Sequence, residues 1–259
     1  MNDNRQNFFE IDFHKPVNGK WTGMTALLII SAVMLIMITT QSCSNAEISG
    51  KALKTAKKGD FLTFGRYPQT ADGGVKPIKW RVLKNEGTSL LVISEYALDA
   101  KRFDLNSDYW QNSEIKKWLN DSFLHKAFSL DEINRLETGD YEDARLLSPD
   151  KGENDGTEVE QYDSNNRTND KVWLLSVDEA EEYFSGDYDR ICKPTDYAIN
   201  NHAFVEDGNC YWWLRTPISE RFGERDEASV FYVRCDGRLI GNCPRLGSRC
   251  VRPVIRIKI

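Results

Sequence analysis

The sequence predicts an α+β domain, on three observations. Strand-like runs cluster between Asp60 and Ser94, two Ser-x-x-Glu capping boxes mark helix starts at Ser129 and Ser176, and the pattern returns to strands after Pro194. Strands and helices come in blocks, so the alternation that builds a doubly wound βαβ sheet is missing.

Asp60 to Gly65 and Ile78 to Leu83 alternate apolar with polar residues, and Ser89 to Ser94 is a continuous apolar run bounded by Gly87 and Glu95. These are three predicted strands, separated by Pro68 and the Gly73-Gly74 turn. Asn112 and Ser113 precede Ile115, Trp118, Leu119, Ser122 and Phe123, which recur on one helical face. In each capping box the Ser oxygen and the Glu carboxylate satisfy backbone N–H groups that a helix start leaves unpaired, so short helices are expected near 130–137 and 177–185. Between them, Gly139 to Asp170 holds ten acidic and three basic side chains with little apolar periodicity, the pattern of a long solvated excursion. Trp173 to Leu175 is expected as a buried strand. After Pro194 come Tyr211 to Arg215, Ser229 to Arg234, an Asp236-Gly237 hairpin turn, Arg238 to Ile240 and a last strand from Arg249 to Ile259. That last run sets Val251, Pro253, Ile255, Ile257 and Ile259 against Arg252, Arg256 and Lys258, as a half-buried strand would.

The rest of the chain divides into residues 1–20, a polar segment; 21–43, a hydrophobic membrane segment; 44–59, a flexible basic linker; and 60–259, the globular domain. From Trp21 to Ala46 no side chain is charged. As a helix, Trp21 to Thr40 would reach about 30 Å, enough to cross a bilayer once. A second reading is a lipoprotein signal, in which the apolar run ends in small and polar residues before Cys43, the residue that would be lipidated; Met24 is then a possible start. Lys15 and Lys20 supply the positive charge before the apolar run, whereas Lys51, Lys54, Lys57 and Lys58 after it would place an uncleaved anchor's C-terminal side in the cytoplasm. The lipoprotein reading is preferred, which puts the domain outside the cytoplasm, at the cell surface or in the periplasm. The linker's small, polar, basic composition cannot bury enough surface to order itself.

The chain has 259 residues, 40% of them hydrophobic and 29% charged, too apolar to be disordered, and no stretch repeats at a fixed period. A net charge of -6 argues against nucleic acid as the partner. Within that balance, residues 210–259 carry ten basic against five acidic side chains, a basic, aromatic-rich quarter on an acidic body.

Several blocks in order resemble a bacterial domain family of unknown function found in secreted and membrane-attached proteins. They are G-D-F-L-T-F-G-R-Y-P-Q at 59–69, P-I-K-W-R-V-L at 77–83, L-L-V-I-S-E-Y-A-L-D at 90–99, I-K-K-W-L-N-D-S-F at 115–123 and A-F-S at 127–129. Further on are D-K-V-W-L-L-S-V-D-E-A-E at 170–181, W-W-L-R-T-P at 212–217 and V-R-P-V at 251–254. The family is similar in turn to the C-type-lectin-like and formylglycine-generating-enzyme folds. The resemblance implies a mixed sheet in which the chain's first and last strands pair, with a loop-rich C-terminal half that presents ligand.

Reaction signatures are sparse. There is no C-x-x-C, no H-E-x-x-H, no nucleophile elbow and no phosphate loop; His125 and His202 lie far apart, and the acidic excursion fails the calcium-loop pattern at its first ligand. No cofactor and no metal site is expected. Cys243 and Cys250 invite comparison with the paired cysteines of formylglycine-generating enzymes, though their spacing differs. In an exported domain, disulfides among Cys192, Cys210, Cys235, Cys243 and Cys250 are chemically allowed, and the odd count leaves at least one thiol over.

The candidate ligand surface is the strand Tyr211 to Arg215 with the loop Arg221 to Arg225. Alternation puts Tyr211, Trp213 and Arg215 on one face and Trp212 with Leu214 on the other. If Trp212 is the core residue, Trp213 and Arg215 are offered outward beside Arg221 and Arg225, a surface for sugars, peptides or acidic groups. The alternative is that both tryptophans pack between sheet and helix, with Arg215 paired to an acid. The expected function is a membrane-attached, non-catalytic recognition domain, held by residues 21–43 and binding a glycan, peptide or protein. A formylglycine-generating-type oxidoreductase and a structural lipoprotein without a small ligand are the alternatives.

Overall fold

A computed structural model describes residues 53–105, 107–139, 170–218, 229–242 and 249–259. The hydrophobic segment 21–43, with Cys43, lies outside the described residues, as do Arg221, Arg225 and Cys243. Among the described residues no helix is long and apolar enough to cross a membrane.

The architecture is α+β, mostly strands with a few short helices. The three expected N-terminal strands are β1 (Phe61–Pro68), β2 (Val75–Asn85) and β3 (Ser89–Ser94). They form an antiparallel meander. Every residue of β3 is buried, which is what its unbroken apolar run demands of a strand covered on both faces. The short strands β4 (Asp99–Lys101) and β5 (Leu136–Glu137) follow; β6 (Val205–Glu206) and β7 (Asn209–Cys210) form a two-stranded hairpin. Then come β8 (Trp212–Pro217), β9 (Val230–Val233), β10 (Leu239–Asn242), β11 (Arg249–Val251) and β12 (Val254–Lys258).

Two five-stranded sheets result, one ordered β1-β2-β3-β12-β5 and the other β10-β9-β8-β11-β4. The chain's first and last strands therefore share a sheet but do not pair, because β2 and β3 stand between them and β12 bonds to β3 and β5. The single strand expected from Arg249 to Ile259 is also corrected: it breaks at Arg252-Pro253, leaving β11 in the second sheet and β12 in the first. Proline cannot donate to a ladder, so the run can change sheets there without losing a backbone bond. The crossing is tied down by Ser94 N–H donating to Pro253 O at 3.0 Å and by Leu98 N–H donating to Val251 O at 2.9 Å. Arg252, expected on the solvent face, is 2% exposed.

The predicted helix after Ser113 runs as one rod, α1, through an α segment (Glu114–Trp118), a π turn (Leu119–Phe123) and a second α segment (Leu124–Ala127). Ile115, Leu119 and Phe123 are buried as their spacing requires, whereas Ser122 is exposed. The extra residue of the π turn rotates the following turn, so that Leu124 and Ala127 join the buried face. Phe128, just beyond, packs on Phe64, Trp80 and Phe123 and joins the rod to the first sheet. It lies over the bulge in β1, where a side-chain carbon at Gly65 would meet its ring at 2.5 Å.

Both capping boxes are present, opening α2 (Leu130–Asn134) and α3 (Val177–Tyr183). Two further short helices, α4 (Asp187–Arg190) and α5 (Asp196–Asn200), lead to the β6-β7 hairpin. Trp173 to Leu175 is buried but is no strand: Trp173 bridges to Val254 of the first sheet, and Leu175 O accepts the Arg215 N–H of the second at 2.9 Å. The acidic excursion leaves and returns at one place: Gly139 N–H donates to Asp170 O at 2.7 Å. Fixed chain also begins earlier than the linker's composition suggests. Asn85 Nδ2 donates to Lys54 O and Ala56 O at 3.1 and 2.8 Å, and Gly59 N–H to Val82 O at 2.8 Å, so residues 53–59 lie along β2.

Candidate functional site

The second sheet carries the aromatic and arginine residues singled out in the sequence. Trp212 and Trp213 lie on opposite faces of β8 as expected, but both faces are covered, and the pairing register shifts between Trp213 and Pro217. Trp212 and Trp213 are each 0% exposed. On one face Trp212 Nε1 donates to Arg190 O at 3.1 Å, beneath Phe184. On the other, Trp213 Nε1 donates to Lys101 O at 2.8 Å, and its ring meets Phe103 and Tyr232 edge-on. An indole that finds a carbonyl partner can be buried whole, and both do.

Arg215 is 8% exposed and turned inward. Its Nη2 donates to Glu179 Oε1 at 3.1 Å, its Nη1 to Glu179 Oε2, and Nη1 also to Leu174 O at 2.8 Å. The expectation that Trp213 and Arg215 are offered outward is therefore corrected: the alternative packing holds, with β8 sandwiched and its arginine paired to an acid on α3.

Tyr211 alone of the three reaches the surface, half-buried at the start of β8. Its ring meets the exposed ring of Phe204 edge-on at 4.9 Å and lies 5.9 Å from Tyr232. Over Tyr232 and Trp213 lies the guanidinium of Arg249, at 4.2 and 4.8 Å from the ring centres. Phe204 is 59% exposed, just before the hairpin whose tight turn is Asp207-Gly208. A row therefore leads from open solvent inward: Phe204, Tyr211, Tyr232 with Arg249, then Trp213.

Polar groups flank this row. Tyr211 Oη donates to Glu206 Oε2, and the Cys235 thiol lies 3.3 Å from the same oxygen. Burial first, then the hydrogen bond to Glu206 and the neighbouring Cys235, push the Tyr211 phenol above its ordinary range. The Tyr211 and Cys235 donors in turn hold the Glu206 carboxyl below its own. Phe204 and Glu206 were not singled out from the sequence. Their only signal is the Asp207-Gly208 dipeptide, which favours a two-residue hairpin turn.

No reaction centre assembles among the described residues. Cys250 and Cys210 are 0% exposed and Cys192 is 2% exposed, and burial pushes the thiols of Cys192 and Cys210 well above their ordinary range, which suppresses the thiolate a nucleophile needs. No group of three His, Cys, Asp or Glu among the described residues is placed to hold a metal. His125 and His202 are both exposed, the first on α1 and the second in the turn after α5.

A family defined as a domain of unknown function, DUF6273, matches residues 87–259. The chain belongs to the DUF6273 family. The match runs from the turn before β3 to the end of β12, so DUF6273 here takes in the whole second sheet and the Phe204 row, while β1 and β2 precede the matched stretch. No curated protein matches the chain, and no solved structure does.

Proposed function

We propose that this DUF6273 protein is a membrane-attached, non-catalytic recognition protein that binds a ligand at the rim formed by Phe204, Glu206 and Tyr211. The observation that carries the reading is the exposed Phe204 ring, braced edge-on by Tyr211 and flanked by the Glu206 carboxylate. An exposed ring beside a carboxylate and a phenol suits a sugar, whose C–H face packs on the ring while its hydroxyls bond to the oxygens. Among glycans, peptides and proteins, a glycan is thus the first choice.

Attachment is assigned to residues 21–43, by lipidation at Cys43 in preference to an uncleaved span, with the domain outside the cytoplasm. Kinship with the C-type-lectin-like and formylglycine-generating-enzyme folds is part of the same proposal. It is supported by β1 and β12 sharing a sheet, and qualified by the two strands between them.

The test is a glycan array probed with the full chain in detergent, followed by the Phe204→Ala and Glu206→Gln variants. Retention of a glycan that both variants lose, at unchanged melting temperature, supports the reading. A Phe204→Ala protein that binds like the wild type defeats it. Metabolic lipid labelling that persists in Cys43→Ala rules out acylation at that cysteine.

A further inference from the structure

Three of the described cysteines meet inside the domain. Cys192 follows α4, Cys210 ends β7 and Cys250 is the middle residue of β11. The N–H of Cys210 donates to the carbonyl of Cys192 at 2.9 Å. With about 1.46 Å from N to Cα and roughly 2.4 Å from Cα to O, that bond caps the Cα–Cα separation at about 6.8 Å, the outer limit a disulfide spans. The N–H of Cys250 donates to Tyr211 O at 2.7 Å, one residue beyond Cys210, so Cys250 stands beside the pair without sharing its backbone bond.

The Cys210 thiol interacts with the thiols of both neighbours. The guanidinium of Arg252 bears on the Cys192 and Cys210 thiols, and its Nη1 is buried without a hydrogen-bond partner among the described residues.

We infer that Cys192 and Cys210 are the two halves of an intramolecular disulfide that closes the loop carrying Phe204, with Cys250 as the reduced neighbour. The oxidant is a second disulfide, small or protein-borne. One of the two thiols gives its proton to solvent, and its thiolate attacks a sulfur of the oxidant and expels one thiolate. The other cysteine then gives its proton to solvent, and its thiolate attacks the mixed disulfide, forms the Cys192–Cys210 bond and expels the second thiolate; each expelled thiolate takes up a proton from solvent. Two protein thiols are oxidised to one disulfide, and the oxidant's disulfide is reduced to two thiols. Because both sulfurs are buried in the closed domain, the exchange belongs to the stage before the 193–209 loop packs down. The inference goes beyond the recognition reading, and its bonding pattern requires no ligand.

The test equilibrates the full chain in detergent across glutathione redox buffers, alkylates the remaining thiols under denaturing conditions and digests with trypsin. Pro194 protects Lys193 from cleavage and Pro253 protects Arg252, so Cys192 and Cys210 stay together on residues 191–215 while Cys250 lies on 250–256. The expected result is peptide 191–215 unalkylated and lighter by two hydrogens, with 250–256 alkylated. A peptide 191–215 that is doubly alkylated at every redox poise, or joined to another cysteine peptide, overturns the inference. Cys250→Ala should still oxidise, and its failure to do so also overturns it. The oxidised protein should melt roughly 5–10 °C above the reduced one in the wild type and in Cys250→Ala, and the gap should vanish in Cys192→Ala. Since no ligand enters the assay, its failure leaves the Phe204 rim to be judged separately.

Discussion

Glu179 serves two partners at once: it closes the capping box of α3 and holds Arg215 of β8. Its Oε2 accepts the Ser176 N–H at 2.9 Å and also a bond from Arg215 Nη1, while Oε1 accepts from Nη2 at 3.1 Å. Glu132 does the same for the first sheet, capping α2 and accepting the Gly65 N–H at 3.0 Å through its other oxygen. Each box therefore fixes a helix start and ties it to a strand distant in sequence.

Removing Arg215 should accordingly behave as a core lesion. Both partners are shielded, with side chains 9% and 23% exposed. Arg215→Ala strips the carboxylate of its cation and leaves Leu174 O short of a donor. A loss of about 3–5 kcal/mol is expected in urea unfolding. A change below about 0.5 kcal/mol would mean that the guanidinium stands in solvent after all.

Trp213 and Phe204 form the complementary pair of tests. Trp213→Ala should cost about 3–5 kcal/mol because it empties a site enclosed by Phe103, Tyr232 and Arg249. Phe204→Ala removes a ring that is mostly in water and should shift stability by less than about 0.5 kcal/mol. Comparable losses from the two variants would contradict the inward-to-outward order of the aromatic row.

These residues also show what the sequence carried. Alternation correctly opposed Trp212 to Trp213, yet period two says only which residues share a face and nothing of what covers that face. Trp213 is enclosed by Phe103, from a loop more than a hundred residues earlier, and by Tyr232 across the hairpin, contacts that no local pattern encodes. The capping boxes were legible because their chemistry closes within four residues; the strands each one ties down were not. The break at Arg252-Pro253 was hidden for a related reason: apolar residues alternate through it, and only the separate pairing of β11 and β12 reveals two sheets. The rim residues Phe204 and Glu206 had no signal beyond a turn dipeptide.

Gly237 offers a sharper test of how the hairpin docks on α4. It adopts φ +86, and a side-chain carbon there would meet Asp187 O at 1.8 Å, while its own carbonyl accepts from Arg190 Nε at 2.9 Å. Gly237→Ala must push the β9-β10 turn away from backbone that cannot yield, and a loss of roughly 3 kcal/mol or more is expected. Gly208 is the control, with φ +76 and nothing within 4 Å, so Gly208→Ala carries the left-handed backbone cost alone, about 1–2 kcal/mol. Equal effects in calorimetry would show that the close approach to Asp187 contributes nothing.

One buried phenol, Tyr67, and one half-buried phenol, Tyr183, set the alkaline limit of stability. Tyr67 is 1% exposed and donates to Asp99 Oδ2 at 2.7 Å; burial first, then the Asp99 charge and hydrogen bond, drive its phenol far above the ordinary value near 10. Burial, aided by the carboxylates of Glu182, Glu179 and Glu86, pushes Tyr183 up to about 12. The folded protein thus keeps protons that the unfolded chain releases above pH 10, so the unfolded state binds fewer and stability must fall as pH rises. The contribution of Tyr183 is whole below pH 10 and is lost as pH climbs to about 12, with Tyr67 continuing the decline beyond. Tyr67→Phe should cost about 1–3 kcal/mol at neutral pH, since an Asp99 oxygen loses its buried donor. Above pH 10 the same variant should melt with a shallower dependence on pH than the wild type. Melting temperatures recorded from pH 8 to pH 12 decide the matter: a flat wild-type profile, or an unchanged slope in Tyr67→Phe, would place these phenols in water.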